Sequence, residues 1–414
     1  MSDSITNKFD VIIIGGGASG LFCANTIKSR NPDISVAILE KQKSVGKKLL
    51  ATGNGRCNIT NLYTTENVYH GTFKPKVKTV LSNLSPDDLM KEFKNIGLLT
   101  TVDTEGRVYP LSKHSSTVLE TLLLACKQND VQIIRETYIT SISNTNGLFR
   151  IISNNGKYSC GKLIIATGSK ATPETGADDS ILQTLKKLGH TITELTPALC
   201  PIPVKSKSLH ALKGVRVNGV VSIKNKSSAK NLKLEQGEIQ FTEKNLSGIC
   251  IFNLSRIANT LDNTYIDIDL LPDMTYSDVL NMLRCQKQRL KISSIAEDLL
   301  TGMFQRKLVN ALLLAAGITK DRTVENVTDK ELMSLATLIK NWRFDVIKSN
   351  DFTRAQVVAG GIDGNEINET NMESNIIKNM YLIGEVVDCD GDCGGYNLHF
   401  AFASAYTAAK GITK

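Results

Sequence analysis

The chain has 414 residues, of which 41% are hydrophobic and 22% are charged, and its formal net charge is +8. This composition is that of a globular protein of two or three domains, and it excludes a chain that is disordered, collagen-like or coiled-coil overall. The nine cysteines are scattered and do not indicate a disulfide framework, and the five histidines do not indicate a metal site. The apolar run Val11–Ile14 is too short for a signal peptide or a membrane helix, so we expect a cytoplasmic protein.

The first predicted elements form one β-α-β unit. Phe9–Ile14 is a short β-branched run typical of a buried parallel strand, Ala18–Arg30 is predicted to be a helix, and Ile34–Leu39 a second buried strand. The stretch Lys41–Asn61 is rich in lysine, glycine and asparagine. It is therefore expected to be a long functional loop.

Helices and short strands follow in the rest of the chain. Further helices are predicted at Asp87–Ile96, Ser116–Asn129, Ser180–Leu188 and Leu398–Lys410. Further strands are predicted at Val131–Arg135, Tyr138–Ser143, Phe149–Ser153, Lys157–Cys160, Leu163–Ala166 and Met380–Ile383. The character changes near Thr196: short strands are predicted over Gly214–Asp269, and helices from Tyr276 to about Lys340.

Residues 15–20 read GGGASG, a GxGxxG between the first predicted strand and the first predicted helix. Gly15 would allow the tight turn, Gly17 the approach of a pyrophosphate, and Gly20 close helix–strand packing, while the helix N-terminus would supply N–H groups. Glu40, 20 residues after Gly20, would accept hydrogen bonds from a ribose and would repel a 2′-phosphate. The motif therefore predicts a site for FAD or NAD.

Three further segments have the composition of ligand-binding turns. They are the loop 46–58, the turn 166–168, and the C-terminal stretch from Gly384-Glu385 to Gly394–Asn397 before the last predicted helix, where Asn397 is the expected N-cap. A helix N-terminus there would stabilise an anion such as a reduced flavin, and Glu385 would bind a ribityl hydroxyl. The alternative for the first two is an ordinary solvated loop and an ordinary strand end.

The segments DVIIIGGGASG, LEK, GKKLLATGNGRCNITN and GEVVD…GGYNLHFAFAS together resemble a family of bacterial NAD(P)/FAD-dependent oxidoreductases. That family includes aminoacetone oxidase-like and bile-acid-inducible flavoproteins, and the resemblance covers nearly the whole chain. It implies an α/β fold with a Rossmann-type, glutathione-reductase-like FAD domain, split between residues 1–195 and 352–414. The insertion would be a β-rich domain, 196–274 with 341–351, and a helical subdomain, 275–340.

The resemblance also implies which residues contact FAD. The pyrophosphate would be held by Gly15, Gly17, Ala18, Ser19 and Gly20; the adenosine half by Glu40, Lys41, Ile139, Ala166, Thr167 and Gly168; the flavin side by Lys48, Leu49, Thr52, Gly55, Arg56, Cys57 and Asn58; and the ribityl chain and isoalloxazine by Gly384, Glu385, Gly395, Asn397 and Leu398. The chain departs from the family pattern at several positions, which leaves any inherited substrate open. These positions are Glu243, Asn245, Ile249, Cys393, His399 and Ala405.

The candidate catalytic residues are His399, Tyr396 and Arg56. His399 and Tyr396 would donate a proton, or would simply pack near the cofactor, and Arg56 would orient a carboxylate or stabilise reduced flavin. Cys57 as a redox partner of the flavin, and Cys389 with Cys393 as a dithiol, are the alternatives to ordinary packing thiols.

The predicted function is a FAD-dependent oxidoreductase that transfers hydride between a small organic substrate or NAD(P)H and flavin, then to oxygen or an unsaturated acceptor. Because no second GxGxxG is found, NAD(P)H is a candidate only as a transient donor. One alternative is a flavin-dependent RNA-modifying protein, suggested by the basic stretch Lys224–Lys233, although interleaved aromatic residues are missing there and a nucleic-acid partner is not expected. Another is a non-catalytic FAD-binding redox module. The substrate and the oligomeric state do not follow from the sequence.

Overall fold

The structure, a computed structural model, describes residues 7–206, 208–228 and 230–414. The chain divides into two compact units, residues 1–196 with 356–414 and residues 197–355. No helix in the described ranges is long and apolar enough to cross a membrane. Within the same ranges, no group of three or more His, Cys, Asp or Glu side chains is arranged to hold a metal ion.

The first unit has an α/β architecture. Its helices are Ala18–Arg30, Lys47–Ala51, Lys74–Asn83, Pro86–Asn95, Ser115–Gln128, Ser180–Lys187 and Tyr396–Ile412. Its strands are Asn7–Ile14, Val36–Leu39, Thr60–Asn61, Tyr69–His70, Thr100–Val102, Arg107–Pro110, Gln132–Ile134, Ile139–Thr145, Leu148–Ser153, Lys157–Ile165, Val357–Ala359, Met380–Leu382 and Asp390–Gly391.

A parallel sheet forms the centre of this unit. Asn7–Ile14 pairs with Val36–Leu39 on one side and with Lys157–Ile165 on the other, and Met380–Leu382 extends the sheet beyond Lys157–Ile165. The apolar residues of these strands are buried because helices and loops cover both faces. All four strands run in the same direction, so the residues that follow them reach the same edge of the sheet. This edge is where ligands bind in open α/β folds.

One prediction about the first unit is wrong, and one helix in it was not predicted. Lys157–Cys160 and Leu163–Ala166 are not separate strands but one strand, Lys157–Ile165. Its first half pairs antiparallel with Leu148–Ser153 and its second half pairs parallel with Met380–Leu382, so Gly161 does not interrupt it. The helix Lys74–Asn83 was not predicted, although a proline in its first turn and the buried Val77 and Val80 are signals for it.

In its described residues, the second unit contains a closed six-stranded barrel and four α-helices. In barrel order the strands are Ile202–Lys205, Asn245–Ser247, Asn231–Phe241, Arg216–Asn225, Thr264–Asp269 and Trp342–Val346. The helices are Ile249–Thr260, Tyr276–Arg289, Arg306–Ala315 and Asp329–Lys340. The short strand Thr196–Ala198 begins at the last residue of the first segment of the first unit and continues into the second unit. Phe241, Trp342 and Phe344 pack in the core, with ring centroids 5.0–6.3 Å apart.

The helix Ile249–Thr260 lies in a stretch for which mostly short strands were predicted, and it was missed. Its buried residues Ile251, Leu254 and Ala258 recur at spacings of three and four residues, which is the helical period. The segment begins after Gly248, whose φ of +113° ends the preceding strand.

Candidate functional site

The GxGxxG turn is packed so closely that two of its glycines leave no space for a side chain. A Cβ on Gly15, where φ is +109°, would lie 2.4 Å from the Ala166 carbonyl oxygen. A Cβ on Gly20 would lie 2.0 Å from the Gly15 oxygen. Gly17 is different, because a Cβ built there meets no heavy atom within 4 Å. Gly17 therefore borders open space at the N-terminus of the helix Ala18–Arg30.

Glu40 is a fixed acceptor beside this turn. Its carboxylate is almost fully buried; Oε2 accepts a hydrogen bond from the Gly16 N–H at 2.8 Å and Oε1 accepts one from the Gln42 N–H at 2.8 Å. Each carboxylate oxygen has a further lone pair available. The Thr137 N–H donates to the Glu40 carbonyl at 2.9 Å, a contact that sequence reasoning missed.

The C-terminal Gly-Glu motif reaches the same edge. A Cβ on Gly384 would lie 2.8 Å from Ser19 Oγ, so the strand Met380–Leu382 ends against the first helix. Glu385 accepts the Val358 N–H at 3.1 Å through Oε1 and forms an ion pair through Oε2 with Lys48. Lys48 lies in the short helix Lys47–Ala51, within the stretch that was predicted to be a loop. Residues distant in the chain thus meet around one point: 15–20, 40, 48, 166–168 and 384–385.

A second convergence joins the loop 57–61 to the start of the last helix. A Cβ on Gly395, where φ is +99°, would lie 2.7 Å from Asn58 Oδ1 and 2.8 Å from the Thr60 oxygen. Asn61 Nδ2 donates to the Gly394 carbonyl at 3.2 Å. The segments GRCNITN and GGYN, which carry the family resemblance, are therefore in direct contact.

The prediction that Asn397 caps this helix is wrong. The N-cap is Gly395, and Asn397 lies inside the first turn. Its side-chain amide exchanges two hydrogen bonds with Gly391: Oδ1 accepts the Gly391 N–H at 2.9 Å and Nδ2 donates to the Gly391 carbonyl at 2.8 Å. Asn397 therefore fixes the loop before the helix rather than the helix end.

The polar atoms of this region match a ligand that brings its own donors and acceptors. Asn58 Oδ1 and Thr167 Oγ1 are buried and have no hydrogen-bond partner within the protein. Buried polar atoms are nearly always paired, so such atoms indicate a partner outside the polypeptide. Together with the open space at Gly17 and the fixed acceptor at Glu40, they fit a dinucleotide lying along the sheet edge.

The remaining predicted contacts surround the same region. Lys41 forms an ion pair with Asp178, and Thr52 Oγ1 donates to the Leu49 carbonyl at 2.6 Å. The buried Leu49 lies in the helix Lys47–Ala51, and the half-buried Gly55 lies in the turn that follows it. Leu398 is half-buried in the first turn of the last helix.

His399 has the environment of a packed residue. Its side chain is fully buried, and Nδ1 lies 2.8 Å from Thr60 Oγ1. Burial lowers the pKa of His399 to about 4, with a smaller opposing effect from the Leu84 backbone. The imidazole is therefore neutral at physiological pH and joins the last helix to the loop 57–61.

Tyr396 and Arg56, two of the candidate catalytic residues, are both accessible to solvent at least in part. Tyr396 is half-buried, and burial, followed by Asp392 and Cys393, raises the pKa of its phenol, so it keeps its proton at neutral pH. The exposed Arg56 guanidinium lies 5.3 Å from the centroid of the Tyr109 ring.

Cys57 is buried in a left-handed conformation with φ of +58°, and burial raises the pKa of its thiol to about 12. Such a thiol is not a nucleophile at neutral pH. Cys389 is buried and Cys393 is half-buried; both are thiols in the structure.

The parallel sheet, the GxGxxG turn and the converging motifs define a Rossmann-type dinucleotide-binding protein. The chain belongs to the family described as HI0933-like protein Rossmann domain, whose model matches residues 9–411. This membership confirms the predicted Rossmann-type FAD fold and the resemblance on which it was based. The chain is a flavoprotein enzyme of the FAD-dependent oxidoreductase class.

Several relatives and solved structures are similar to the chain along its whole length. It is 32% identical over 402 residues to 3-dehydro-bile acid delta(4,6)-reductase of Clostridium scindens, covering 96% of this chain and 97% of that protein. It is 27% identical over 409 residues to ribosomal RNA dihydrouridine synthase of Haemophilus influenzae, covering 97% and 98%. The crystal structure of 3-ketosteroid delta1-dehydrogenase from Sterolibacterium denitrificans shares the fold, with a TM-score of 0.52, 11% identity and coverage of 99% and 100%.

Proposed function

We propose that the chain is a FAD-dependent reductase that saturates an electron-poor carbon–carbon double bond in a small organic substrate. The observation that carries the proposal is the convergence of the turn 15–20, Glu40, the turn 166–168 and Gly384-Glu385 at one sheet edge. The names of two full-length relatives, a delta(4,6)-reductase and a dihydrouridine synthase, both describe the saturation of such a bond.

The residues at the sheet edge would hold FAD along its length. The turn 15–20 would bind the pyrophosphate through helix N–H groups, and Glu40 would accept the ribose hydroxyls. Glu385 and Lys48 would bind the ribityl chain, and the N-terminus of the helix at Gly395 would face the pyrimidine side of the flavin. Lys41, Leu49, Thr52, Gly55, Arg56, Cys57, Asn58, Ile139, Asn397 and Leu398 would complete the site. When bound, FAD supplies the hydride and stores the electron pair.

Within this proposal Tyr396 donates the proton that accompanies the hydride. Its phenol is protonated at neutral pH and only half-buried, whereas His399 is fully buried and neutral. His399 therefore acts as a positioning residue for the loop 57–61, and Arg56 would orient a polar group of the substrate. NAD(P)H would serve as the transient source of electrons, and a cytoplasmic location stays a prediction of the sequence.

The test is anaerobic oxidation of the photoreduced holoprotein by 2-cyclohexenone. We expect the flavin absorbance to return as the enone is added, with one cyclohexanone formed per flavin. Cyclohexanone itself, which lacks the double bond, is the matched control and should leave the flavin reduced. A flavin that stays reduced with a panel of enones, yet is rapidly oxidised by air with formation of peroxide, would contradict the reductase and favour an oxidase.

An RNA substrate is the second candidate, because two relatives are named ribosomal RNA dihydrouridine synthase. The basic stretch Lys224–Lys233, of which residue 229 lies outside the described residues, adds little to it. Lys224 pairs with Asp267 at 2.9 Å and Lys226 pairs with Asp345 at 2.8 Å, so much of its charge is neutralised. Fluorescence anisotropy with a ribosomal RNA fragment, measured at about 50 and 200 mM salt, tests this candidate. If the chain binds RNA through its basic residues, the affinity should fall steeply between these two salt concentrations.

A further inference from the structure

A small antiparallel sheet of the first unit lies next to the start of the last helix. Its central strand, Arg107–Pro110, pairs with Thr60–Asn61 on one side and with Thr100–Val102 on the other. The Asn61 side chain reaches the last helix, because its Nδ2 donates to the Gly394 carbonyl at 3.2 Å. The face of the sheet that carries Asn61 therefore leads to the place where the pyrimidine side of the flavin is proposed to lie.

This face of the sheet is apolar at its far end. Arg107 lies opposite Asn61, and Tyr109 and Leu111 follow on the same face because side chains alternate along a strand. The Leu111 N–H donates to the Leu99 carbonyl at 2.8 Å, so these two residues are neighbours across the ladder. Leu99 and Leu111 are 55% and 59% exposed. The face thus ends in two adjacent leucines that remain largely uncovered.

Arg56 is held over the middle of the same face. The central carbon of its guanidinium lies 5.3 Å from the centroid of the Tyr109 ring, and its Nε donates to the Gly53 carbonyl at 3.4 Å. The backbone of the loop is closed as well: the Arg56 N–H donates to the Gly53 carbonyl at 3.2 Å, and the Cys57 N–H donates to the Thr52 carbonyl at 3.0 Å. The side chain of Arg56 therefore has a defined direction.

The positive charge of Arg56 is not neutralised by the protein. Arg56 is exposed, and among the described residues no carboxylate lies within ion-pair distance of its guanidinium. Arg107, the other arginine on this face, differs: its Nε lies 2.8 Å from Asp103 Oδ2 and its Nη2 lies 2.9 Å from Glu105 Oε1. A guanidinium that stacks on an aromatic ring keeps N–H groups free, and these can bind a carboxylate through two parallel hydrogen bonds.

The length of this face and the order of its groups indicate what kind of ligand fits it. A strand rises by about 3.4 Å per residue, so Arg107 and Leu111 are separated by roughly 13 Å, with Arg56 over Tyr109 midway between them. A ligand that extends from the last helix along this face meets the free guanidinium first and the two leucines next. Charge complementarity therefore favours an anionic group followed by an apolar part.

We propose that this face is the substrate subsite of the enzyme, where Arg56 binds a carboxylate of the substrate and Leu99 and Leu111 cover the apolar part beyond it. The inference rests on the proposed function and specifies its substrate class, a cyclic enone that bears a carboxylate. In the reaction the β-carbon gains a hydride, the α-carbon gains a proton and the double bond becomes a single bond, while the carboxylate is unchanged. Arg56 is therefore a specificity-determining residue that contacts the substrate away from the reacting atoms.

The first measurement does not depend on activity. Isothermal titration of the oxidised holoprotein compares cyclohexanecarboxylate with cyclohexanecarboxamide, which is neutral and has nearly the same shape. The wild type should bind the carboxylate about tenfold more tightly than the amide. Arg56→Gln should remove this preference, and Arg56→Lys should retain only part of it, because lysine keeps the charge but not the planar fork.

The matched control for the titration is Arg150→Gln, which removes an exposed arginine from the strand Leu148–Ser153 and should keep the preference of the wild type. Equal affinities of the wild type for the carboxylate and the amide would overturn the inference. A preference for the carboxylate that survives in Arg56→Gln would overturn it as well.

The second measurement is anaerobic oxidation of the photoreduced holoprotein by 4-oxocyclohex-2-ene-1-carboxylate and by the corresponding carboxamide. For the wild type, kcat/KM should be about tenfold higher with the acid, through KM rather than kcat, and Arg56→Gln should abolish the difference. If neither enone oxidises the flavin, the proposed function fails, while the binding titration still decides the role of Arg56. If both enones react equally well with the wild type, the proposed function stands and the inference is overturned.

The third measurement tests the two leucines with trans-4-butylcyclohexanecarboxylate. Leu111→Ser should weaken binding of this acid about fivefold and leave that of unsubstituted cyclohexanecarboxylate nearly unchanged, because the butyl group loses apolar contact. Leu314→Ser, which changes a leucine 70% exposed in the second unit, is the control and should alter neither. A change from dimer to monomer in the sedimentation of Leu111→Ser would instead make this face an interface between two copies of the chain, and would overturn the subsite.

Discussion

At the scale of single residues, the glycines of the first turn have different tasks. Gly15 and Gly20 allow backbone contacts that a Cβ would block, whereas Gly17 borders open space. Sequence reasoning could assign these roles because the GxGxxG spacing fixes the turn around a strand and a helix. It could not place the cap of the last helix, since the left-handed Gly395 begins that helix ahead of Asn397. It also missed Thr137, whose contact with Glu40 is made by the backbone.

The contrast between Gly17 and Gly20 predicts two different failures. Gly17→Val should fold, because its side chain enters open space at a φ of −85° that any residue tolerates, but it should lose FAD. Gly20→Ala should be destabilised by several kcal/mol, because its Cβ would lie 2.0 Å from the Gly15 oxygen. Flavin content and circular dichroism of the two purified variants separate these outcomes. A yellow Gly17→Val protein with full flavin content would contradict the placement of the pyrophosphate.

The fully buried His399 predicts a loss of stability in mild acid. The pKa of this imidazole is lowered to about 4 in the folded protein, against about 6.5 when unfolded, so the unfolded chain binds the extra proton first. The free energy of unfolding is unaffected by this imidazole above about pH 6.5. It decreases as the pH falls toward 4, by about 3 kcal/mol in total. Urea unfolding at neutral pH and at about pH 5 measures the free energy of unfolding of the wild type and of His399→Gln. Between these two pH values, the variant should lose about 2 kcal/mol less than the wild type. Equal pH dependence in both proteins would show that His399 does not titrate in this way.

At the scale of elements, the strands of the parallel sheet were predictable because they contain short continuous apolar runs, such as Val11–Ile14 within Asn7–Ile14. The long strand Lys157–Ile165 was not recognised as one element, because its two halves pair with different partners and in opposite directions. Hydrophobic periodicity indicates whether a segment is buried, but it does not indicate which strands the segment pairs with. This explains why the elements were found more reliably than their connections.

One buried network joins elements that the sequence does not connect. His190, whose side chain is fully buried, binds Glu366 through Nδ1 at 2.9 Å and Ser374 Oγ through Nε2 at 3.1 Å. Ser374 Oγ also accepts the N–H groups of Ile376 and Ile377. Three groups would therefore lose a partner in Ser374→Ala.

We expect Ser374→Ala to lower the free energy of unfolding by about 1–3 kcal/mol, because buried polar groups left unpaired are costly. Ser82→Ala is the matched control: Ser82 is an exposed helical serine that bonds only to the Thr79 carbonyl among the contacts of the structure, and its loss should cost less than about 0.5 kcal/mol. The urea midpoint of each holoprotein gives both values. Equal midpoints in the two variants would show that the network adds nothing to stability.

At the scale of the whole molecule, local patterns predicted the motifs, whereas only the family resemblance predicted that they surround one cofactor. Residues 15–20, 40, 166–168 and 384–385 lie at one edge because the four strands before them are parallel neighbours. That neighbourhood depends on long-range pairing, which no local pattern encodes. The charge of +8 is likewise a poor guide to partners, since Lys224 and Lys226 are paired with carboxylates in the structure.

The two compact units have separate hydrophobic cores, and this predicts where cofactor binding adds stability. All the residues proposed to hold FAD belong to the first unit, whereas Trp342, the single tryptophan, is buried in the core of the second. A ligand that binds only the folded state raises the free energy of unfolding of the part it binds, by about 2.7 kcal/mol when its free concentration is 100 times Kd. Adding FAD to the apoprotein should therefore slow hydrogen exchange in Asn7–Ile14 and Lys157–Ile165 and leave the urea midpoint of Trp342 fluorescence unchanged.

The Gly17→Val variant is the control for this measurement, because FAD should protect neither strand in it. If FAD raises the Trp342 midpoint of the wild type by the same free energy as it protects the sheet, the two units unfold together, and binding at the sheet edge stabilises the whole chain. If only the sheet is protected, the second unit is thermodynamically independent. In that case substitutions in its core, such as Phe344→Leu, should move the Trp342 midpoint without releasing FAD.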